Sequence, residues 1–156
     1  MIGDPSPLLG GDALGDAPAR LRAAVEPRWS VGGWATVELD RAEVEVADSL
    51  ASFGRPAIES GAVDRLLGAR CRLLRLGGGM EVALLEPSTE GRLAAALARY
   101  GEGTLVHYLL VDAGGPERAR RAGFTLTSPG LGPFGPERLA LAGPRYGPFL
   151  VLAGFD

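Results

Sequence analysis

The sequence predicts an α+β protein built from two tandem βαβββ modules, and two alignments within the chain support this fold class. Residues 82–85 (Val-Ala-Leu-Leu) align with residues 150–153 (Leu-Val-Leu-Ala), at an offset of 68 residues. Residues 34–40 align with residues 106–112 at the similar offset of 72 residues. Because strand-like and helix-like patterns follow one another in the same order after each aligned segment, we predict a duplicated sheet unit.

The first 29 residues precede the predicted modules. Residues 1–15 are rich in Gly, Pro and Asp, which is typical of an irregular tail. Asp16 is a suitable N-cap for a short helix over residues 17–25, and Pro18 is tolerated in its first turn. Pro27 ends this helix. We therefore expect a tail and one short helix over residues 1–29.

The first module is predicted over residues 30–88. Polar and apolar residues alternate over 34–40, which indicates a strand with one buried face. Asp40 can then cap a helix that ends at Gly54 and Pro56. Residues 57–68 read as irregular, with room for one short strand, and residues 69–76 and 80–86 as a hairpin around three glycines. The apolar stripe of the helix consists of Ala42, Val46, Leu50 and Phe53.

A linking helix and a shorter second module complete the chain. The helix is expected within residues 89–103, beginning at Ser88 or Thr89 and ending at Tyr100 before Gly101. The second module, residues 104–156, has predicted strands at 104–111, 124–127, 137–142 and 148–153 and a helix at 116–122. The whole chain is expected to form one domain.

Composition excludes several classes of function. With 156 residues, 46% of them apolar, and a net charge of −3, the chain can bury a core but has no basic excess for nucleic acid. The single cysteine, Cys71, excludes an intrachain disulfide or a thiolate zinc cluster. No stretch resembles a signal peptide or a membrane span, so we expect a cytoplasmic protein without membrane contact.

Three sequence pieces, in their order and spacing, carry a resemblance to a known family. They are residues 37–42 (VELDRA), 66–70 (LLGAR) and 83–94 (ALLEPSTEGRLA). Residues 31–154 resemble the vicinal oxygen chelate superfamily, which includes glyoxalases, bleomycin-resistance proteins and extradiol dioxygenases, and look most like its glyoxalase-like domain subgroup. The resemblance implies a curved mixed sheet around a concave cavity, helices on the outer face, and a homodimer.

The superfamily typically holds a divalent metal ion on its concave sheet with His, Gln or Glu side chains from four strands. Alignment with that pattern places Trp34, Ala83, Val106 and Val151 at the four ligand positions. None of these side chains can ligate a metal ion. We therefore expect no metal and no cofactor.

Strand alternation then predicts which side chains share the cavity with those positions. Two aromatic walls and five charged groups would suit a small polar or carboxylate-bearing molecule. The same charges would equally suit a solvated sheet face with Arg and Glu paired across strands. The proposed ligand-binding residues are Trp34, Glu38, Arg70, Arg72, Glu81, Tyr108 and Arg138.

His107 is the only histidine and would be the obvious candidate for a catalytic base. Alternation groups it with Leu105, Leu109 and Val111, which are apolar. We therefore predict a structural His107 that packs beneath a helix, on the face away from the cavity.

Three functions remain open from the sequence. The first is a metal-free glyoxalase-like protein that binds a small molecule in its cavity. The second is a metal-independent lyase or isomerase in which Glu81 or Glu38 removes a proton next to a carbonyl group held by Arg72. The third, ranked last because the ligand positions are apolar, is a metal-dependent glyoxalase or dioxygenase. The sequence leaves open whether the protein is an enzyme.

Overall fold

The computed structural model describes residues 16–141 and 148–155. The predicted tail at residues 1–15 and residue 142 of a predicted strand lie outside the described residues. Within the described ranges, no helix combines the length and the apolar character needed to cross a membrane.

The described chain contains four α-helices and nine strands, and their order confirms the predicted α+β class. Strand β1 leads through α2, β2 and β3 to β4, and β5 leads through α4, β6 and β8 to β9, with α3 between the two series and the short β7 before β8. The elements are α1 (Ala17–Val25), β1 (Trp29–Ala35), α2 (Leu39–Ser49), β2 (Ala57–Asp64), β3 (Ala69–Arg75), β4 (Glu81–Pro87), α3 (Arg92–Tyr100), β5 (Gly103–Leu110), α4 (Gly115–Arg121), β6 (Thr125–Leu126), β7 (Gly130–Gly132), β8 (Gly135–Leu141) and β9 (Phe149–Ala153).

All nine strands of the described ranges belong to one mixed sheet, in the order β2-β3-β4-β1-β5-β9-β8-β6, with β7 paired to β8. Strands β1 and β5 pair antiparallel in the middle of the sheet. In each half, the first strand pairs in parallel with the last, as in Gly33↔Ala83 and Tyr108↔Val151. The segments 82–85 and 150–153, aligned in the sequence, therefore hold equivalent places in the two modules.

Strand β1 lies at residues 29–35. The prediction of a strand at 34–40 is therefore wrong by five residues. The two central residues of β1, Gly32 and Gly33, hide the alternation that identifies a strand. Pairing with β4 on one side and β5 on the other supplies the stabilisation that the local pattern lacks. Helix α2 accordingly begins at Leu39 with Glu38 at the N-cap position, and Asp40 lies in its first turn.

Glu86 supplies the cap of α2 from another strand. Its Oε2 accepts a hydrogen bond from the backbone N–H of Leu39 at 3.0 Å, and its Oε1 is hydrogen-bonded to Arg70. The Arg70 hydrogen bond, followed by the Leu39 N–H, lowers the pKa of the Glu86 carboxyl. The carboxylate thus satisfies a helix N-terminus that has no capping side chain of its own.

Strand β2 is longer than the sequence indicates. Residues 57–68 were expected to be irregular apart from a short strand, yet Ala57–Asp64 pairs with β3 as an edge strand. A register shift between Ser60 and Ala62 accommodates Gly61, whose φ is +92°. Most β2 side chains are exposed, so the strand carries no alternating apolar pattern that could have revealed it.

The sheet has two differently covered faces. One face, called here the interior face, packs against α3 through Leu93 and Ala96. The other, called the outer face, is covered by α2 over the first module and by α1 and α4 over the second. The interior face carries Val31, Ala35, Cys71, Leu73, Ala83, Leu85, Val106, Tyr108, Leu139 and Val151.

The two ends of the sheet approach each other at a contact that we call the seam. The backbone N–H of Arg65, just after β2, donates to the carbonyl oxygen of Leu131 in β7 at 2.9 Å. Leu66 lies over Gly130, where an added Cβ would be 2.7 Å from the Leu66 Cγ. The curvature predicted for the sheet therefore brings its ends together and covers the interior face.

Candidate functional site

A cavity of about 600 Å³ lies on the outer face, between α2 and the centre of the sheet. Its floor is formed by β1, β4 and β5, and α2 and the Gly77–Gly79 turn form its walls. The lining residues are Trp29, Ser30, Val31, Gly32, Trp34, Glu45, Val46, Ser49, Leu50, Gly78, Gly79, Met80, Glu81, Val82, Thr104 and His107. We call this space the α2 cavity.

Glycines make room for the α2 cavity. Gly32 is the partner of His107 across the β1–β5 pair, so no side chain stands beside the imidazole on β1. Gly78 and Gly79 hold φ values of +76° and +78° in the tight turn before β4, as the three-glycine sequence predicted. Small residues at the floor and at the turn thus leave space that larger side chains would fill.

The lining combines apolar walls with a few polar groups. Trp34 and Val46 belong to the apolar cluster beneath α2, and His107 is only 3% exposed. The Trp34 Nε1–H is buried and has no hydrogen-bond acceptor among the residues that the structure describes. An indole N–H at the wall of a cavity is a donor to which a ligand oxygen could bind.

The charged groups at the α2 cavity are acidic. Glu45 pairs with Arg41 on the same helix at 3.2 Å, and Glu81 pairs with Arg75 at 3.0 Å. Both arginines lie outside the lining, which contains no lysine or arginine among the described residues. The cavity therefore presents carboxylates, hydroxyls and aromatic rings.

The structure places two of the seven predicted ligand-binding residues, Trp34 and Glu81, at this cavity. Glu38, the other catalytic candidate, is an exposed residue that lies 3.9 Å from Arg41. Of the two predicted bases, only Glu81 lines the α2 cavity.

The predicted arginines have partners elsewhere. Arg70 pairs with Glu86, and Arg72 pairs with α2 through Asp40 at 2.7 Å. Arg138 donates to the carbonyl oxygen of Thr127 at 2.8 Å. None of the three lines the α2 cavity.

The predicted strand phase is wrong in β1, β3 and β8. In β1 the buried interior positions are Val31 and Ala35, whereas Trp34 turns to α2. In β3 Cys71 faces the interior, which turns its arginine neighbours outward. In β8 Leu139 faces the interior, so that Arg138 points away from it. A shift of one residue reverses every side chain of a strand.

The predicted phase is right in β4 and β9. Ala83 and Leu85 share the interior face with Val151, while Val82 and Leu84 turn to α2. Both strands are apolar runs that are buried on both faces. A wrong phase there would still have placed an aliphatic residue inward.

In β5 the phase is right for Tyr108 and Val106, which face the interior, and His107 lies on the opposite face. The prediction that His107 lies away from the cavity is nevertheless wrong for the α2 cavity, because His107 lines it. A register shift between the β1 residues Gly33 and Trp34 leaves Leu105 as an extra residue of β5. Leu105 had been expected on the same face as His107. It lies instead in the interior cluster.

The four positions aligned with metal ligands do not form one site. Trp34 lies on the outer face, and Ala83, Val106 and Val151 lie on the interior face. The β1 residue that does adjoin Val106 is Gly33, where an added Cβ would be 2.8 Å from the Val106 Cβ. These side chains offer no donor atom and leave no room, so the residues at these positions do not fit a metal ion.

Elsewhere in the described ranges, no cluster of three or more His, Cys, Asp or Glu residues could hold a metal ion. The interior face nevertheless carries two acidic groups that sequence reasoning missed. Asp64, at the end of β2, and Glu137, in β8, are both fully buried. The signal available in the sequence was that Glu137 has the same parity as Leu139 in its strand.

Asp64 is held as an acceptor of two hydrogen bonds. The Tyr108 hydroxyl donates to its Oδ2 at 2.7 Å, and the backbone N–H of Leu67 donates to its Oδ1 at 3.0 Å. Burial, followed by the negative charges of Asp64 and Glu137, raises the pKa of the Tyr108 hydroxyl well above its ordinary value. The hydroxyl therefore stays protonated and remains a donor.

Glu137 completes the group as a protonated acid. As an ionised carboxylate it would have no donor among the described residues, whereas its protonated form can donate to the neighbouring Asp64. Burial, with the hydrogen bond to Asp64 and the Asp64 charge, raises the pKa of Glu137 to about 10. Gly132 allows this position, since an added Cβ would be 2.2 Å from the Glu137 Oε2.

No protein-family model and no curated protein matches this chain. Solved structures with a similar fold include the following two. One is methylmalonyl-CoA epimerase from Mycobacterium tuberculosis, with a TM-score of 0.64 and 21% identity over 78% of this chain and 83% of that chain. The other is a hypothetical protein from Bacillus halodurans C-125, with a TM-score of 0.61 and 19% identity over 78% of this chain and 89% of that chain.

These likenesses confirm, at the level of the fold, the resemblance carried by the sequence. The chain has an α+β fold similar to that of these two proteins, as the glyoxalase-like resemblance implied. At about one residue in five identical, the comparison describes the backbone and assigns no activity to this chain.

Proposed function

We propose that this protein binds a small, largely apolar molecule in the α2 cavity without the aid of a metal ion. The observation that carries the proposal is the cavity itself. Its volume of about 600 Å³ lies within the range of roughly 300–1,000 Å³ that is usual for small-molecule sites. Apolar walls with a few placed polar groups are the usual composition of such sites.

The lining supports a neutral or cationic ligand that carries a hydrogen-bond acceptor. Glu45 and Glu81 would repel a carboxylate, and the described lining contains no lysine or arginine that would attract one. The ring of Trp34 offers a stacking surface, and its Nε1–H lacks an acceptor within the described ranges. The sequence led us to expect a carboxylate-bearing ligand. The lining favours an aromatic ligand without a carboxylate instead.

The metal-independent lyase or isomerase is a second candidate, because Glu81 lines the cavity with a side chain that is 13% exposed. A general base must reach its substrate, and Glu81 meets that condition whereas Glu38 does not. Homodimerisation and a cytoplasmic location stay predictions from the sequence.

The test uses two fluorescent probes that share their rings and differ in charge. N-phenyl-1-naphthylamine is neutral, and 8-anilino-1-naphthalenesulfonate carries a sulfonate. We expect the full chain to bind the neutral probe at least about tenfold more tightly, because the sulfonate would meet carboxylates. Equal affinities, or tighter binding of the sulfonate, would contradict the proposed acidic cavity.

Matched tryptophan substitutions locate the binding. Ser49→Trp fills the α2 cavity from the end of α2 and is expected to abolish binding of the neutral probe. Ser60→Trp places the same ring on the exposed edge strand β2 and is expected to leave binding unchanged. Equal effects of the two substitutions would place the probe elsewhere. Mass spectrometry of a metabolite mixture incubated with the protein then separates binding, which returns the ligand unchanged, from turnover.

A further inference from the structure

The acidic pair on the interior face lies beside the seam, and this position is the basis of a further inference. Asp64 directly precedes Arg65, whose N–H makes the backbone hydrogen bond to Leu131 across the seam. Glu137 packs on Gly132, at the end of the same short strand β7. The pair thus joins the two ends of the sheet immediately next to the point where they touch.

We propose that Glu137 and Asp64 form a proton-dependent latch that closes the seam between β2 and β7, and that loss of the Glu137 proton opens the seam onto the interior face. One proton lies between two carboxyl groups that belong to different modules. Its removal leaves two negative charges at hydrogen-bond distance in a site without solvent. The repulsion is relieved when the ends of the sheet separate and water reaches both groups.

The described groups around the pair include no cation that would neutralise it. Tyr108 from β5 and Cys71 from β3 face the pair, and both act on it as neutral groups. The neighbour of Glu137 on β9 is Ala153, and Gly132 faces it from β7. Arg138, the adjacent residue in β8, is hydrogen-bonded to Thr127 on the other side of the strand.

Opening of the seam is favoured when the pH rises and Glu137 loses its proton. The folded-state pKa of Glu137 is raised to about 10, from an ordinary value of 4.5. The closed form therefore binds the proton more tightly than the open form, and closure is strongest below pH 4.5. The equilibrium constant for opening rises about tenfold for each pH unit between pH 4.5 and about pH 10. It is constant at higher pH.

Cys71 is a built-in reporter of this opening. It is the only cysteine of the chain, it is 1% exposed, and it lies on the interior face near the pair. A thiol reagent such as 4,4′-dithiodipyridine can react with it only after the interior becomes accessible. Burial raises the pKa of the Cys71 thiol, so that reaction in the closed form is further suppressed.

The experiment measures the rate of Cys71 labelling in the full chain between pH 6 and pH 8. For the native protein we expect about a hundredfold rise per pH unit, tenfold from thiolate formation in the open form and tenfold from the latch. Glu137→Gln keeps a donor to Asp64 but cannot ionise, so its rate should rise only about tenfold per unit. Glu117→Gln removes a carboxylate from the surface of α4 and should behave like the native protein.

Two further measurements separate a local latch from global unfolding and do not depend on the variant. Low urea should leave the native labelling rate nearly unchanged, because opening of the seam exposes little surface. Hydrogen exchange should show that the Arg65 amide loses protection with pH before the amides paired between β1 and β5. Identical pH slopes for the native protein and Glu137→Gln, or parallel loss of protection at both places, would overturn the proposal.

Discussion

The two faces of this sheet bury their side chains in different ways. On the interior face, Gly33, Leu85 and Val106 are in such close contact that even one added methyl group would have no space. On the outer face, α2 leaves a cavity of about 600 Å³ over the same central strands. The difference teaches that, in this chain, the α2 cavity lies on the side opposite to the one that strand alternation and the family resemblance indicated.

The polar groups of the two faces differ in the same sense. The interior acids are fully buried and satisfy each other with one proton, together with Tyr108. The outer acids, Glu45 and Glu81, each pair with an arginine that lies outside the lining and keep contact with the cavity. The interior acids are therefore closed off from solvent, whereas the outer acids are in contact with the α2 cavity.

The largest expected difference between the faces comes from truncating an apolar side chain on each. Leu85→Ala should lower the free energy of unfolding by about 2–5 kcal/mol, because Leu85 is fully buried in the interior cluster. Met80→Ala removes a half-buried side chain at the α2 cavity and should cost about 1 kcal/mol or less. Urea denaturation measures both, and equal costs would contradict the contrast in packing.

The next effect concerns the interior hydrogen bond to Asp64. Tyr108→Phe should lower the free energy of unfolding by about 1.5–3 kcal/mol, because a buried carboxyl group loses a donor to its Oδ2. Tyr100→Phe is the matched control, since that hydroxyl belongs to a 40% exposed residue at the end of α3. Thermal unfolding monitored by circular dichroism compares them, and a neutral Tyr108→Phe would mean that water replaces the lost donor.

A smaller loss is expected from adding one methyl group at the crossing of β1 and β5. Gly33→Ala should cost about 1–3 kcal/mol, since the new Cβ would be 2.8 Å from Val106 Cβ and 3.0 Å from Leu85 Cδ1. Gly114→Ala has its nearest contact, at 2.8 Å, with the end of the long Arg118 side chain, which can shift more easily than a packed core, and should cost less. Chemical denaturation of both variants would show whether the interior face can yield.

The smallest effect on stability is expected at the rim of the α2 cavity. Glu45→Gln should change the free energy of unfolding by less than about 0.5 kcal/mol, because its pair with Arg41 lies on the helix surface. It should nevertheless reduce the preference for the neutral probe over the sulfonate. Glu43→Gln, on the same helix but outside the lining, should leave that preference unchanged. A loss of preference in both variants would indicate a general effect of net charge.

Much of the fold could be predicted from local pattern. Helix α1 begins and ends where Asp16 and Pro27 indicated, and the three-glycine turn lies between its two predicted strands. The aligned segments 82–85 and 150–153 lie in the equivalent strands β4 and β9. These elements are determined by near neighbours in the sequence, through caps, turns and short apolar runs.

The phase of β1 could not be predicted in the same way. Its glycines contribute no side chain to an alternating pattern, and its position is determined by pairing with β4 and β5. Because Trp34 was assigned to the wrong face, the four aligned ligand positions were expected to meet on one face. In the structure the β1 residue beside Val106 is Gly33, which also has no donor atom in its side chain. The cavity lies on the other face, beneath α2.

The sequence by itself determined the class of the fold and the duplicated order of its elements. Only the tertiary structure decided where the cavity lies and that Asp64 meets Glu137. Those two residues are 73 positions apart in the chain and approach each other because the curved sheet brings its ends together. Local alternation reports which face of a strand is apolar, whereas the contacts of a closed seam depend on curvature summed over all the strands.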